Sequence, residues 1–399
     1  MTDGSALHRS ILAHPADDTP RLVYADWLEE NGRSEEAEFI RVECRLEAIL
    51  PGDPEYTELI DRREELRLWL RAHLTWLKVR LRAGLHVEGG SDWWKTTQRG
   101  FPRFLEFDAL TRPGVKPIRD LAGALENAFA RIPTRWLAIR SISTNQLAEL
   151  LRHPVLAGLE RLTIQLDATD DPQDEACRLI ADCQHLRHLR GLILTFSIGD
   201  AGAVSLASSE NLSGLKSLTL DLCGSCTPAA VRRLGSTAWF LGLQSLNMAE
   251  LSGPAFEELC RIDAFPNLHT LELHESAFPT SAWRGFSRST AFPRLAKFVN
   301  RTEMADGQAE ALAAAPGFVP RILELDACAI GNDGATALAR APWFGSLRRL
   351  ELGFNRLTAS GFLAIAGSRK LTELKYLDLS YSSPSARGAP SLDPRSSGR

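Results

Sequence analysis

Three stretches hold residues whose types and spacing could do chemistry. RLVYADWLEENG, residues 21–32, carries Asp26, Glu29 and Glu30. Paired carboxylates can divide acid and base work if a cleft separates their pKa values. On a helix these three fall away from Val23 and Trp27, and nothing nearby supplies a nucleophile, a metal-ligand set or a glycine loop. They are expected to form a helix surface. CRLIADCQHLRH places Cys177, Cys183, His185 and His188 together, donors of the kind zinc takes. Convergence of all four would compete with Leu186, Leu189 and Leu192, which the periodicity sends inward. CGSC, from Cys223 to Cys226, has the letters of a redox pair without the strand-to-helix setting that activates one. Phosphate-loop, dinucleotide, zinc-protease and nucleophile-elbow motifs do not occur. The expectation is no catalytic residue, no metal and no cofactor.

The elements that would position such residues follow from composition and pattern. The chain has 399 residues and a net charge of −4, which implies neither a nucleic-acid nor a membrane partner. Charge is uneven: residues 1–65 hold 17 acidic and 7 basic side chains, and residues 66–103 hold 8 basic and 2 acidic. An acidic head and a basic neck can pair within the molecule. Seven cysteines without small-domain spacing suit reduced thiols in a cytoplasm. No leader-like segment and no apolar run of membrane-spanning length is seen, so a cytoplasmic protein is expected.

Residues 1–83 are predicted to be helical. Thr19 is placed to cap a helix beginning at Pro20, with Leu22, Val23, Tyr24, Trp27 and Leu28 as its apolar face and Gly32 as the left-handed residue past its end. Ser34 is placed to cap a second helix through Phe39, Ile40 and Leu46. Asp53 and Pro54 are placed to start a third, with Leu66, Leu70, Leu74, Leu77 and Leu81 at helical spacing. The segment HPADDTPRLVYADWLEENG, followed by EEAEFIRVECRL, closely resembles the short repeat-companion domain at the N-termini of many planctomycete-type bacterial proteins. The likeness covers about the first fifty residues and rests on the Tyr-Ala-Asp-Trp-Leu-Glu-Glu core. It implies a bacterial protein and a companion to repeats, and it transfers no catalytic residue.

From residue 134 a pattern L-x-x-L-x-L returns: TRWLAIRSI at 134, LERLTIQLD at 159, LRGLILTFS at 189, LKSLTLDLC at 215, LQSLNMAEL at 243, LHTLELHES at 268, PRILELDAC at 320, LRRLELGFN at 347 and LKYLDLSYS at 374. LAKFVNRTE at 295 is a weaker copy, and PRFLEFDAL at 102 a degenerate first one. Starts lie 25 to 32 residues apart. Within L-x-L the leucines point to one side of a strand, and one unit cannot bury them alone, so units must stack with parallel strands. Between strands, SIGDAGAVSLASS, AIGNDGATALARA and RLTASGFLAIAGS repeat one phrase of glycine turn and helix. These phrases resemble ribonuclease-inhibitor-type leucine-rich repeats over most of residues 134–382. The likeness implies an α/β solenoid, a horseshoe with a parallel concave sheet and helices on the convex side, preceded by a small all-α domain. The expected organisation is a helical companion domain over 1–83, a linker with a degenerate first repeat or N-cap over 84–133, the solenoid over 134–382, and a disordered tail over 383–399. In the resembled repeats the ninth position takes Asn or Cys to satisfy turn backbone, and Cys223, Cys328 and Asn355 sit there.

Function then falls to the outward residues of the strands. Tentative binding positions are Asn247, Glu272, His274, Arg301, Glu324, Asp326, Arg349, Glu351 and Asp378. Registered like charges such as Glu324, Glu351 and Asp378 repel unless cations intervene. The first expectation is a non-catalytic scaffold holding a cationic protein partner on the concave face. The alternative is an enzyme or enzyme regulator acting through the N-terminal helices. Self-association through an uncapped strand near Leu377 and Leu379 is also expected.

Overall fold

The computed structural model describes residues 4–14, 17–49, 55–73, 85–87, 97–98, 101–102, 105–108, 119–130, 132–166, 172–222, 224, 226–262 and 264–382. The chain forms two compact units, Met1–Cys223 with Thr237–Leu243 and Gly224–Ser236 with Gln244–Arg399.

The first unit opens with helices α1 (Gly4–Ala13), α2 (Thr19–Glu30), α3 (Ser34–Ala48) and α4 (Tyr56–His73), each packed on the next. Their local chemistry departs from expectation at three points. Helix α2 starts at Thr19, one residue early, and the Asp17 carboxylate, not a threonine hydroxyl, accepts the Thr19 N–H at 2.9 Å. Helix α3 already includes Ser34, and the Arg33 guanidinium forks onto Glu36 at 2.6 and 2.5 Å across its first turn. The buried stripe of α2 is Arg21, Ala25 and Leu28, with Tyr24 and Trp27 packed partly against it. Leu22 and Val23 lie exposed, because the packing axis runs through i, i+4 and i+7 from Arg21. Gly32 takes φ +76°, the left-handed conformation that ends a helix and favours glycine. Between α3 and α4 a buried Glu43–Arg67 pair at 3.1 Å joins the apolar contacts of Phe39, Val42 and Leu66. The expected contributions of Asp53, Pro54, Leu74, Leu77 and Leu81, and of the Leu70 side chain, lie outside the described residues.

A sheet follows. Its strands are β1 (Leu85–Val87), β4 (Leu105–Asp108), β5 (Trp136–Ile142), β6 (Arg161–Leu166), β7 (Gly191–Ser197) and β8 (Ser217–Asp221), with a separate hairpin of β2 (Thr97–Gln98) and β3 (Phe101–Pro102). Strand β1 pairs antiparallel with β4, and β4 to β8 run parallel. The degenerate copy at 102 thus supplies a working strand: Leu105 and Phe107 register with Leu137 and Ile139. Helices α5 (Arg119–Phe129), α6 (Thr144–Leu151), α7 (Asp174–Asp182) and α8 (Asp200–Ala207) alternate with the strands.

The second unit repeats the plan. It contains α9 (Pro228–Gly235), while α10 (Ala238–Leu241) counts with the first unit. Strands β9 (Ser245–Ala249), β10 (Thr270–Ala277), β11 (Lys297–Glu303), β12 (Ile322–Glu324), β13 (Arg349–Glu351) and β14 (Tyr376–Asp378) are all parallel. They alternate with α11 (Gly253–Leu259), α12 (Thr280–Arg288), α13 (Asp306–Ala313), α14 (Asn332–Arg340) and α15 (Ala359–Ala366). The pattern leucines form a straight row, Leu246, Leu271, Phe298, Leu323, Leu350 and Leu377 in register, buried in every strand except β14. Period-two alternation forces this, since a slip of one residue would turn the whole row outward. Among the described residues no helix is long and apolar enough to cross a membrane.

The recurring glycine phrase has a steric cause. Asp306 Oδ1 accepts the Gly331 N–H at 2.6 Å, so the start of α13 bonds to the start of α14. A Cβ on Gly334 would stand 2.6 Å from that oxygen. Asp174 does the same one level of the first unit away, accepting from Gly199 at 2.8 Å, with a Cβ on Gly202 falling 2.5 Å from it. Glycine is required because helix starts approach through a carboxylate.

The turn after the strand is also shared. Ser141, Glu250, Glu275, Ala327, Phe354 and Tyr381 occupy the eighth position of their copies, and each has φ between 49° and 55°. The ninth position closes the turn. Asn355 Oδ1 accepts the Ile330 N–H at 2.9 Å, and its Nδ2 donates to the carbonyls of Leu325, Leu352 and Gly353 at 2.7, 3.0 and 3.2 Å. Cys328 fills the same place, its thiol donating to Asn300 O at 3.1 Å. Burial pushes that thiol up to about 12. Cys223 lies outside the described residues. The weaker copy at 295 puts Asn300 where others put a leucine. It is fully buried, with Oδ1 accepting from the Thr302 hydroxyl at 2.8 Å and Nδ2 donating to Thr302 O at 3.1 Å.

Candidate binding face

Residues between the buried leucines point to the opposite side of the sheet. In the second unit pairing sets Asn247, Glu272, Val299, Glu324, Glu351 and Asp378 in one row, with His274 registered to Arg301 in a flanking row. Seven of the nine expected positions therefore stand in these two rows; Arg349 lies two residues before Glu351 in the same strand, and Asp326 follows β12 in the turn.

Asn247 Nδ2 donates to Glu272 Oε2 at 3.2 Å and lies 3.3 Å from His274 Nε2, which is itself 3.6 Å from Glu272. The neighbouring His274 ring and the Lys297 ammonium hold the Glu272 carboxyl below the usual carboxylate range. In the middle, Lys297 Nζ bridges Glu272 Oε1 at 3.3 Å and Glu324 Oε1 at 3.4 Å, and Arg301 reaches Glu324 Oε2 at 3.8 Å. Toward β14 the Arg349 Nε donates to Glu351 Oε1 at 2.5 Å, and its guanidinium lies 3.9 Å from the centroid of the Tyr376 ring. Burial and the neighbouring Glu351 carboxyl push Asp326 up to about 7, against the opposing Gly353 N–H that donates to its Oδ1 at 2.7 Å. Ser380 holds Asp378 below the carboxylate range, its N–H donating to Oδ1 at 2.8 Å.

The carboxylates are thus threaded by cations. Lys297 was absent from the expected set although a signal pointed to it. It stands two residues before the row, as Arg349 does in its own strand, and residues two apart share a face. Tyr376 follows from the same column.

The other chemical candidates lie apart. Asp26 and Glu29 both accept from Arg41 of α3, at 2.7 and 2.6 Å, and Asp26 stands mostly in solvent. Cys177 and Cys183 are buried in the helical layer, with the Cys183 thiol donating to Leu151 O at 3.2 Å. Among the described residues no three His, Cys, Asp or Glu side chains converge as a metal site. Cys226 is buried, and its CGSC partner Cys223 lies outside the described residues. No family model matches the chain, and no curated protein matches it.

Proposed function

We propose that the chain is a non-catalytic bacterial scaffold of the leucine-rich-repeat class, led by repeat-companion helices, which holds a cationic protein partner on the outward face of its second unit. The observation that carries this reading is a row of polar and charged side chains, interrupted at Val299, that the leucine core does not need. Glu324 and Glu351 are mostly covered yet keep carboxylate oxygens at the face, where a partner's ammonium or guanidinium can exchange for Lys297 or Arg349. Six buried free thiols suit a reducing cytoplasm. Affinity capture from the native host with the parent chain and with Glu324→Lys, Glu351→Lys tests it. Partner recovery should fall by about ten-fold or more with both charges reversed. Undiminished recovery overturns the reading.

A second reading concerns self-association. Strand β14 pairs on one side only among the described residues, and Tyr376 and Leu377 are exposed on it. Light scattering after size exclusion should give a mass that rises with concentration. A constant monomer mass would remove this reading.

A further inference from the structure

Next to the acidic end of the face stands an aromatic pair that the fold does not require. Phe354 and Tyr381 stack with ring centroids 4.8 Å apart and planes 13° from parallel, and they are 46% and 76% exposed. Both occupy the left-handed eighth position. Equivalent copies fill it with Ser141, Glu250, Glu275 and Ala327 at the same φ. The turn therefore asks for no ring, and rings this open add little to the core.

Carboxyl groups hold the backbone just before each ring. Asp326 holds the N–H of Gly353, the residue before Phe354, and Asp378 holds the N–H of Ser380, the residue before Tyr381. The Phe354 N–H donates to Ser380 O at 2.9 Å, which ties the two turns together. Gly353 adds no side chain beside Asp326, where a Cβ would come within 3.1 Å of Oδ1. Among the described residues neither Asp326 nor Asp378 forms an ion pair, whereas Glu272, Glu324 and Glu351 all do.

The same face already shows what such a group receives. Arg349 lies flat enough over Tyr376 to bring its guanidinium within 3.9 Å of the ring centroid while bonding Glu351. That is one aromatic, one carboxylate and one arginine. At Phe354 and Tyr381 the aromatic and carboxylate parts recur without the arginine. A guanidinium is planar, stacks on rings and forks onto carboxylates, so it fits better than an ammonium.

We infer that the Phe354–Tyr381 stack, with the Asp378 carboxylate at the adjoining turn, is the seat for an arginine side chain of the partner protein. This rests on the proposed binding face and specifies its anchor point.

The probe is a dye-labelled peptide, Gly-Gly-Arg-Gly-Gly-Arg-Gly-Gly, titrated with the full chain and followed by fluorescence anisotropy. Its twin carries citrulline, which keeps the shape and removes the charge. The arginine peptide should bind at least about ten-fold tighter than the twin. Phe354→Ser with Tyr381→Ser should erase that preference; serine is native at this turn position in Ser141, and circular dichroism checks the fold. Asp378→Asn should weaken arginine binding without affecting the twin. Equal binding of the two peptides, no arginine binding below about 1 mM, or full binding by the double-serine chain would each overturn the inference. The two proposals fail separately. Partner loss on Glu324→Lys, Glu351→Lys with peptide binding indifferent to the rings removes the seat and keeps the face. Peptide binding that needs the rings, with partner recovery indifferent to both reversals, removes the face and keeps the seat.

Discussion

The outward rows of the two units share a backbone and differ in chemistry. In the first unit Glu106, Ala138, Thr163, Ile193 and Thr219 stand in register, a row with one charged member, Glu106, which Arg140 reaches at 3.2 Å. In the second, Asn247, Glu272, Val299, Glu324, Glu351 and Asp378 stand in register, with Lys297, Arg301 and Arg349 set among them. Behind both rows the leucine columns are alike and buried. The inward residues fix register, because a slip would expose them all. The outward residues are left free, so chemistry can change from one unit to the next without a change of fold.

This comparison would break if the shared turn, and not the free face, turned out dispensable. Asn355→Leu removes four hydrogen bonds and leaves buried N–H and C=O groups unpaired. It should cost about 3 kcal/mol in urea unfolding of the chain. A loss below about 0.5 kcal/mol would show that the turn backbone finds other partners.

A smaller effect sharpens the contrast between rows. Lys297→Ala takes away the ammonium between Glu272 and Glu324. The expected loss is about 1 kcal/mol at low salt, shrinking as added salt screens the two acids. Thr219→Ala, at an uncharged position of the first unit's row, should show no such salt dependence. Equal salt responses would mean the cation does not organise the face.

The smallest expected effect is a pH slope of opposite sign at the two ends of the charged row. Asp326 is raised in the fold, so its neutral form is favoured there. Its contribution is complete below about pH 4 and is lost as pH rises through about 7. Glu272 is lowered, so its contribution is present at neutral pH and is lost as pH falls through its folded value. Asp326→Asn should therefore flatten the decline of the unfolding midpoint between about pH 4 and pH 7, and Glu272→Gln should flatten only the acid limb. An unchanged profile for Asp326→Asn would show that burial beside Glu351 does not hold its carboxyl neutral.

Legibility varied with how local each constraint was. Strands starting near Leu162, Leu192, Leu218, Leu271 and Leu350 followed from spacing alone, since alternation and burial are properties of a few adjacent residues. The outward set follows from the same rule, and Lys297, two residues before the row as Arg349 is, extends it. The apolar face assigned to α2 was wrong at Leu22 and Val23: a helix turns several faces outward, and only its neighbour α3 determines which is covered.

What the sequence determined by itself is the row of leucines and hence the parallel register, because no other arrangement buries residues repeated at that interval. The tertiary structure decided the rest: that one ammonium would serve Glu272 and Glu324, that Asp326 would lie partly buried beside Glu351, and that Phe354 and Tyr381 would meet face to face. These pairings join residues 25 or more positions apart. Their energies depend on distances of a few ångströms across neighbouring strands, and such distances exist only once the units have stacked.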